Sequence, residues 1–283
     1  MLQNSFLHLP GIGIRKERQL WAKGMLDWAH MLSPSASSLM PASDFQRFRP
    51  VLEESRERLA ARDADYFAKH LPPAEHWRLF GEFRNDIGYL DIETTGLGTE
   101  TDHVTTLSLY GNGKLFTYIF GENLDAFLDD VLQFKILASY NGKCFDIPFL
   151  ERQFRTRFLQ PHIDLRYVLR SLGYKGGLKG CERQLGIARN DLDGIDGFWA
   201  VLLWQEYERT RDRRALDTLL AYNIEDTVNL ERLMVIAYNK KIGEAPVCVP
   251  RQEEPAYFEK TILPNPDVIA RIRTARFGIS TSL

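Results

Sequence analysis

The stretch 87-IGYLDIETTGLG-98 decides how the chain is read. Ile87, Tyr89, Leu90 and Ile92 have the composition of a core strand, yet Asp91 and Glu93 sit inside it. Side chains alternate along a strand, so Asp91 and Glu93 share one face with Tyr89, and Leu90 and Ile92 make the other face apolar. TTGL then reads as a turn leaving the strand end, which is where sites are built in α/β sheets. A simply solvated polar face is the alternative.

Working outward, 103-HVTTLSLYG-111 alternates Val104, Thr106 and Ser108 against Thr105, Leu107 and Leu109. Asn112-Gly113 supplies a hairpin turn, since both residues tolerate positive φ, and 114-KLFTYIF-120 returns. The segment 123–134 has helical spacing with Asn123 as a cap. ILASY (136–140) reads as a fourth strand, 146–157 as a helix, and a short fifth strand falls near His162–Leu165. The spacing predicts helices over 165–172, 178–186, 197–209 and 212–238. Three meandering strands followed by alternating helices and strands imply an α/β mixed sheet with helices packed on it. Residues 1–80 are expected to form a helical N-terminal region, broken by the Ser- and Pro-rich loop 33–44. Residues 84–240 carry the strands and most motifs, and 241–283 read as an extended tail packing on the body.

The chain has 283 residues, 44% of them apolar, enough for a full core. A net charge of −2 makes no strong statement about partners, because a sum does not report a local patch. Cys144, Cys181 and Cys248 lack metal-type spacing and suggest free thiols in a reducing compartment. No run approaches the roughly 18 apolar residues of a membrane span, and the N-terminus lacks the apolar stretch of a secretory signal. The expectation is a cytoplasmic, soluble protein with no membrane partner; its oligomeric state is open.

Two further segments carry acids. In 137-LASYNGKCFDIPFL-150, Asn141-Gly142 ends a strand and Asp146 opens a helix; Asp146 alone could serve as a cap, and Asn141 as an ordinary turn residue. In 222-YNIEDTVNLERLMVIAY-238, Tyr222 and Asp226 lie four apart on one helix face that Leu230 and Leu233 continue into the core. Polar groups so placed need polar company, and a Tyr–Asp hydrogen bond would provide it.

D-x-E on a strand, N-x-x-x-F-D, and Y-x-x-x-D on a late helix together resemble the DEDD superfamily of 3′–5′ exonucleases, which has the ribonuclease-H-like fold. The tyrosine is similar to that of the proofreading domains of DNA polymerases. YLDIETTGL, SYNGKCFDIPFL, HIDLRYVLR, ERQLGIARNDLDGIDG and YNIEDTVNL resemble more specifically the YprB-like ribonuclease-H-like proteins of bacteria. The resemblance covers about 85–238. It implies a ribonuclease-H-like mixed sheet, three antiparallel strands then two parallel ones, and a metal-dependent exonuclease acting on single-stranded DNA or RNA. Four converging carboxylates would repel one another unless cations intervened. Hard oxygen ligands suit two Mg²⁺ or Mn²⁺ ions, and no thiolate and imidazole set suggests zinc.

The resemblance further implies that Asp91 touches both ions, Glu93 and Asp226 hold the water-activating one, and Asp146 supports the second. Tyr222, a poor base with an ordinary pKa near 10, would orient the attacking water. Thr94, Thr95 and Leu97 would cradle the 3′-terminal nucleotide, with core packing the alternative for Leu97; Asn141 joins this nucleic-acid-binding set. Lys143, Lys175 and Lys179 are phosphate contacts by position or ordinary surface lysines. Asp164 stands outside the metal set as a supporting or substrate residue, and Arg189, Asp191 and Asp193 read as a turn held by local pairs. Finally, 6-FLHLPGIGIRKERQLWAKGM-25 resembles one helix-hairpin-helix unit, in which Gly11 and Gly13 would let duplex DNA approach a helix start flanked by Arg15, Lys16 and Arg18. A plain Pro-Gly turn is the alternative. A structure-specific endonuclease and a non-catalytic nucleic-acid-binding adaptor are the competing functions.

Overall fold

Tyr89, Leu90 and Ile92 commit the first strand to burial on both faces, and in the computed structural model it lies at the centre of a five-stranded sheet. The structure describes residues 1–34, 36, 39–189 and 195–277. The strands are β1 (Ile87–Thr94), β2 (Val104–Gly111), β3 (Lys114–Ile119), β4 (Ile136–Ser139) and β5 (His162–Asp164), in the order β3-β2-β1-β4-β5. β3, β2 and β1 are antiparallel neighbours, whereas β4 and β5 run parallel to β1. This is the predicted ribonuclease-H-like mixed sheet.

Asn112 and Gly113 both take positive φ (50° and 73°) between the paired Gly111 and Lys114, which closes the two-residue hairpin. A register shift between Glu93 and Thr94 makes the β1–β2 pairing irregular directly after the second acid. Such bulges bend a strand and re-aim its side chains.

The helices are α1 (Ile14–Ala22), α2 (Trp28–Leu32), α3 (Ala42–Ala60), α4 (Ala64–His70), α5 (Phe80–Phe83), α6 (Phe127–Asp130), α7 (Asp146–Phe154), α8 (Leu165–Ser171), α9 (Gly177–Gln184), α10 (Gly197–Thr210), α11 (Arg213–Gly243) and α12 (Pro266–Phe277). One sheet face packs Leu90, Ile92, Leu107 and Leu109 against Phe127, Phe134, Phe149 and Leu150. The opposite face lies under α11, a helix of 31 residues. Its second half shares a core with Tyr89, Ile136 and the N-terminal Trp28, Phe48 and Phe67. Its first half packs with α10 and α12 through Leu203, Leu216, Leu219 and Val268.

Two elements depart from expectation. The segment after β3 is not one helix but α6 flanked by 3-10 turns at Leu124–Ala126 and Val131–Gln133. Asn123 does not cap it: its side chain turns back to β3, accepting from Ile119 N (2.8 Å) and donating to Thr117 O (3.0 Å). The tail contains α12. Its start was written in Asn265-Pro266: Asn265 Oδ1 accepts from Val268 N (3.1 Å), and proline at the first helical position has no N–H to lose.

Among the described residues no helix is long and apolar enough to cross a membrane.

Candidate metal centre

β1 and α11 build the site between them. Carboxylate oxygens of Asp91, Glu93 and Asp226 lie within 4.8 Å of one another. Strand pleat puts the first two on one face, and antiparallel pairing sets Ser108 and Thr106 beside them, so the stripe beneath α11 is polar. α11 answers with Tyr222, Asn223 and Asp226. Asn223, which sequence reasoning passed over, is the fastening: its Nδ2 donates to Asp91 Oδ2 (2.8 Å) and Asp91 O (3.0 Å), while its Oδ1 accepts from Ser108 Oγ (2.7 Å). One amide thus ties the helix to two strands. An asparagine adjoining Tyr222 on a buried helix was the available signal.

Asp146 opens α7 and lies buried against β1, its Oδ1 accepting from Ile92 N (3.3 Å). It stands outside the trio within 4.8 Å, but its charge is felt by Asp91. Phe145, at the cap position, offers no side-chain bond to the helix.

Crowding acids at a desolvated site disfavours their ionised forms. Burial pushes the Asp91 carboxyl well up, and the charges of Asp226 and Asp146 add to that. Glu93 is raised by burial and then by Asp91 and Asp226. Burial takes Asp146 up to about 7. Burial, with Asp226, Glu93 and Asp91, also raises Tyr222, so its hydroxyl keeps its proton. Tyr222 does not satisfy itself on Asp226: its Oη accepts from Lys179 Nζ (2.7 Å), whose ammonium sits 4.3 Å from the ring centroid. Lys179 also donates to Ile195 O, so it is part of the site rather than a solvated surface lysine. Lys143 and Lys175 are exposed.

Arg189 is likewise not held by its sequence neighbours; it pairs with Glu182 on α9 and Asp226 on α11. Asp191 and Asp193 lie outside the described residues. Asp164 caps α8 through Arg166 N (3.0 Å) and also accepts from Asn141 N (2.8 Å) and Lys143 N (3.2 Å). With both oxygens engaged it shapes the turn ahead of Asp146. In that turn Asn141 takes a positive φ of 68° and accepts from Arg166. Gly142 donates to Ser139 Oγ (3.1 Å); a β-carbon there would stand 2.0 Å from Ser139 Oγ and 3.3 Å from Asp146 Oδ2.

The turn after β1 is closed by Asp102, which accepts from Gly98 N (2.9 Å), Thr99 N (2.7 Å) and Thr95 Oγ1 (3.3 Å). Thr94 Oγ1 donates to Gly96 O (2.6 Å). Leu97, at 93% exposure, projects from this turn and takes no part in the core.

At the N-terminus, Gly11 (φ 77°) and Gly13 are exposed ahead of α1. Only a single 3-10 turn, Leu2–Asn4, precedes them. α1 is held to the body by Glu17, which accepts from Phe6 N (2.8 Å) and pairs with Arg78 (2.9 Å), leaving Arg15, Lys16 and Arg18 exposed.

A family model described as the RNase_H superfamily matches residues 88–238. Among solved structures, the family B DNA polymerase of the hyperthermophilic archaeon Pyrobaculum calidifontis is 16% identical with a TM-score of 0.42, over 60% of this chain and 31% of the polymerase. NrnC of Brucella melitensis is 19% identical with a TM-score of 0.39, over 58% of this chain and 78% of NrnC. The chain thus spans less than a third of the polymerase and most of NrnC. No curated protein sequence matches it.

Proposed function

The chain belongs to the RNase_H superfamily, and from that premise we propose that it is a metal-dependent 3′–5′ exonuclease that hydrolyses phosphodiester bonds of single-stranded DNA or RNA. The observation that carries this reading is the meeting of Asp91, Glu93 and Asp226 within 4.8 Å, with Asp146 bonded to the same strand one residue from Asp91.

The donor set fits divalent cations on its chemistry. It is all oxygen, it is mounted on a strand and two helices, and its acids resist ionisation because they are buried and crowd one another, with Arg189 and Lys179 opposing that only in part. Two Mg²⁺ or Mn²⁺ ions held by Asp91, Glu93, Asp146 and Asp226 would supply an activated water and a counter-charge for the leaving 3′ oxygen. The protein's share is orientation. Asn223 holds Asp91 in one pose. Tyr222 accepts from Lys179, which leaves its hydroxyl proton to donate to the attacking water or to a phosphate oxygen. A tyrosine with a raised pKa does this without losing its proton.

In this reading Thr94 and Thr95 shape the turn that receives the 3′-terminal nucleotide, and Leu97 is apolar surface for its base. Asn141, on the turn ahead of Asp146, joins this nucleic-acid-binding set. Gly11 and Gly13 would let a duplex backbone approach the α1 start. Residues 84–240 form the catalytic domain, 1–80 a helical N-terminal region and 241–283 a tail on the body, in a cytoplasmic protein.

The test is purified protein with Mg²⁺ or Mn²⁺ on 3′- and 5′-labelled DNA and RNA oligonucleotides and on circular single strands, beside Asp91→Asn. Stepwise loss from the 3′ end, abolished in the variant and absent on circles, is the expected result. Cutting of circles would replace this reading with an endonuclease. Binding with no metal-dependent cleavage would replace it with a nucleic-acid-binding adaptor.

A further inference from the structure

Arg189 has an unusual position for a buried cation. Its Nη1 donates to Asp226 and its Nε to Glu182, so its guanidinium bridges α9 and α11 at one of the three clustered acids. Its remaining nitrogen, Nη2, is buried without a partner among the described residues. Glu182 is fixed in turn, accepting from Asn229 Nδ2 (2.9 Å), and Ile187, two residues before Arg189, is buried in the main core. The arrangement runs from α9 through Glu182 and Arg189 to the carboxylate that would face a cation.

We infer that Arg189 is a positioning residue for metal binding: backed by Glu182, it fixes the carboxylate of Asp226 in the orientation the divalent-cation site requires. This rests on the metal-site reading above and goes beyond it by assigning the residues that hold one of the site's ligands in place. An ionised carboxylate on a helix can turn about its own bonds. With one oxygen of Asp226 taken by the guanidinium, the other is left for a cation. Outer partners of metal-binding carboxylates set affinity in this way, and removing one weakens binding by about 10- to 100-fold. Arginine suits the task because its planar fork reaches two carboxylates at once, which a lysine ammonium does not do in fixed geometry. Glu182 offsets part of the guanidinium charge, so the pair brings less positive charge to the site than a lone arginine would.

Removing Arg189 alone would strand the buried Glu182, so the decisive variant changes both: Glu182→Gln with Arg189→Gln. The amide oxygen introduced at position 182 can still accept from Asn229. Mn²⁺ binding is measured by titration calorimetry, thermal unfolding is followed without metal, and kcat and KM are measured on a labelled oligonucleotide. The expected result is a metal-free Tm within a few degrees of wild type and an Mn²⁺ Kd raised about 10- to 100-fold. At limiting Mn²⁺ kcat falls, with KM for the oligonucleotide unchanged. Arg189→Lys keeps the charge and loses the fork, so it is expected to fold normally and still bind Mn²⁺ more weakly than wild type.

Wild-type Mn²⁺ affinity in both variants overturns the inference. Should the double variant not fold, Arg189→Lys decides alone. A wild type that binds no Mn²⁺ overturns it together with the metal-site reading. A wild type that binds Mn²⁺ but cleaves nothing removes the nuclease proposal only, and the affinity comparison still decides the role of Arg189.

Discussion

Asp91→Asn should stabilise the metal-free protein while abolishing its activity. Asp91, Glu93 and Asp226 place carboxylate oxygens within 4.8 Å of one another. Two unit charges at that distance repel by about 3.5 kcal/mol at an effective dielectric of about 20. Asp91 faces two such neighbours, but Arg189 offsets part of the charge on Asp226, and partial protonation of the raised acids relieves more. A net gain of about 1–3 kcal/mol remains, which for a protein of this size moves Tm up by roughly 2–5 °C. The substitution keeps the key contact, because the side-chain amide oxygen of the introduced asparagine can still accept from Asn223 Nδ2. The assay is thermal unfolding by circular dichroism after chelation, at pH 8, where the acids are most ionised. Adding Mn²⁺ should raise the wild-type Tm and leave the variant nearly unmoved, since a ligand stabilises only the state that binds it. A variant with unchanged or lower Tm after chelation would refute the claim that these acids repel one another in a shared pocket.

The same acids set a pH dependence. Asp91, Glu93 and Asp146 have folded-state pKa values above their unfolded ones, Asp146 at about 7. The folded state therefore binds more protons in that window, and stability falls as pH rises. Tm of the chelated protein should decline between about pH 4 and pH 7, and saturating Mn²⁺ should flatten the decline. Gly142→Ala drives a methyl group into Ser139 Oγ at 2.0 Å and presses on Asp146, so kcat should drop by about 100-fold, in line with a displacement of about 1 Å at a catalytic group. Tyr222→Phe should lower kcat by about 10-fold, less than Asp91→Asn, with KM unchanged, as fits a group that orients water. Gly111→Ala puts a β-carbon 2.5 Å from Ile87 O and 2.4 Å from the Phe134 ring, and should cost about 2 kcal/mol in a urea titration.

Much of this molecule was legible in local pattern. The alternation in 87–93 separates an apolar face from an acidic one, and Asn112-Gly113 specifies its hairpin through φ alone. The spacing of Tyr222, Asp226, Leu230 and Leu233 gives α11 a buried face. What escaped was of another kind. Arg189 and Lys179 looked like loop and surface cations because charged residues usually are, and nothing in their neighbourhoods says that α11 lies opposite. Asn223 has no periodic signature; its role appears only when β1, β2 and α11 meet around it. Asp164 was kept apart from the acid cluster, and its visible task, holding the backbone of Asn141 and Lys143, depends on β4 and β5 lying side by side. In the tail, Pro-rich composition hid the capping signal of Asn265-Pro266.

Mn²⁺ titration calorimetry on the chelated wild type and Asp91→Asn tests most directly whether the acids at 91, 93, 146 and 226 form one divalent-cation centre. Two Mn²⁺ ions bound per wild-type chain, with binding lost in Asp91→Asn, is the predicted result. No binding at millimolar Mn²⁺, or binding that Asp91→Asn leaves unchanged, would contradict it.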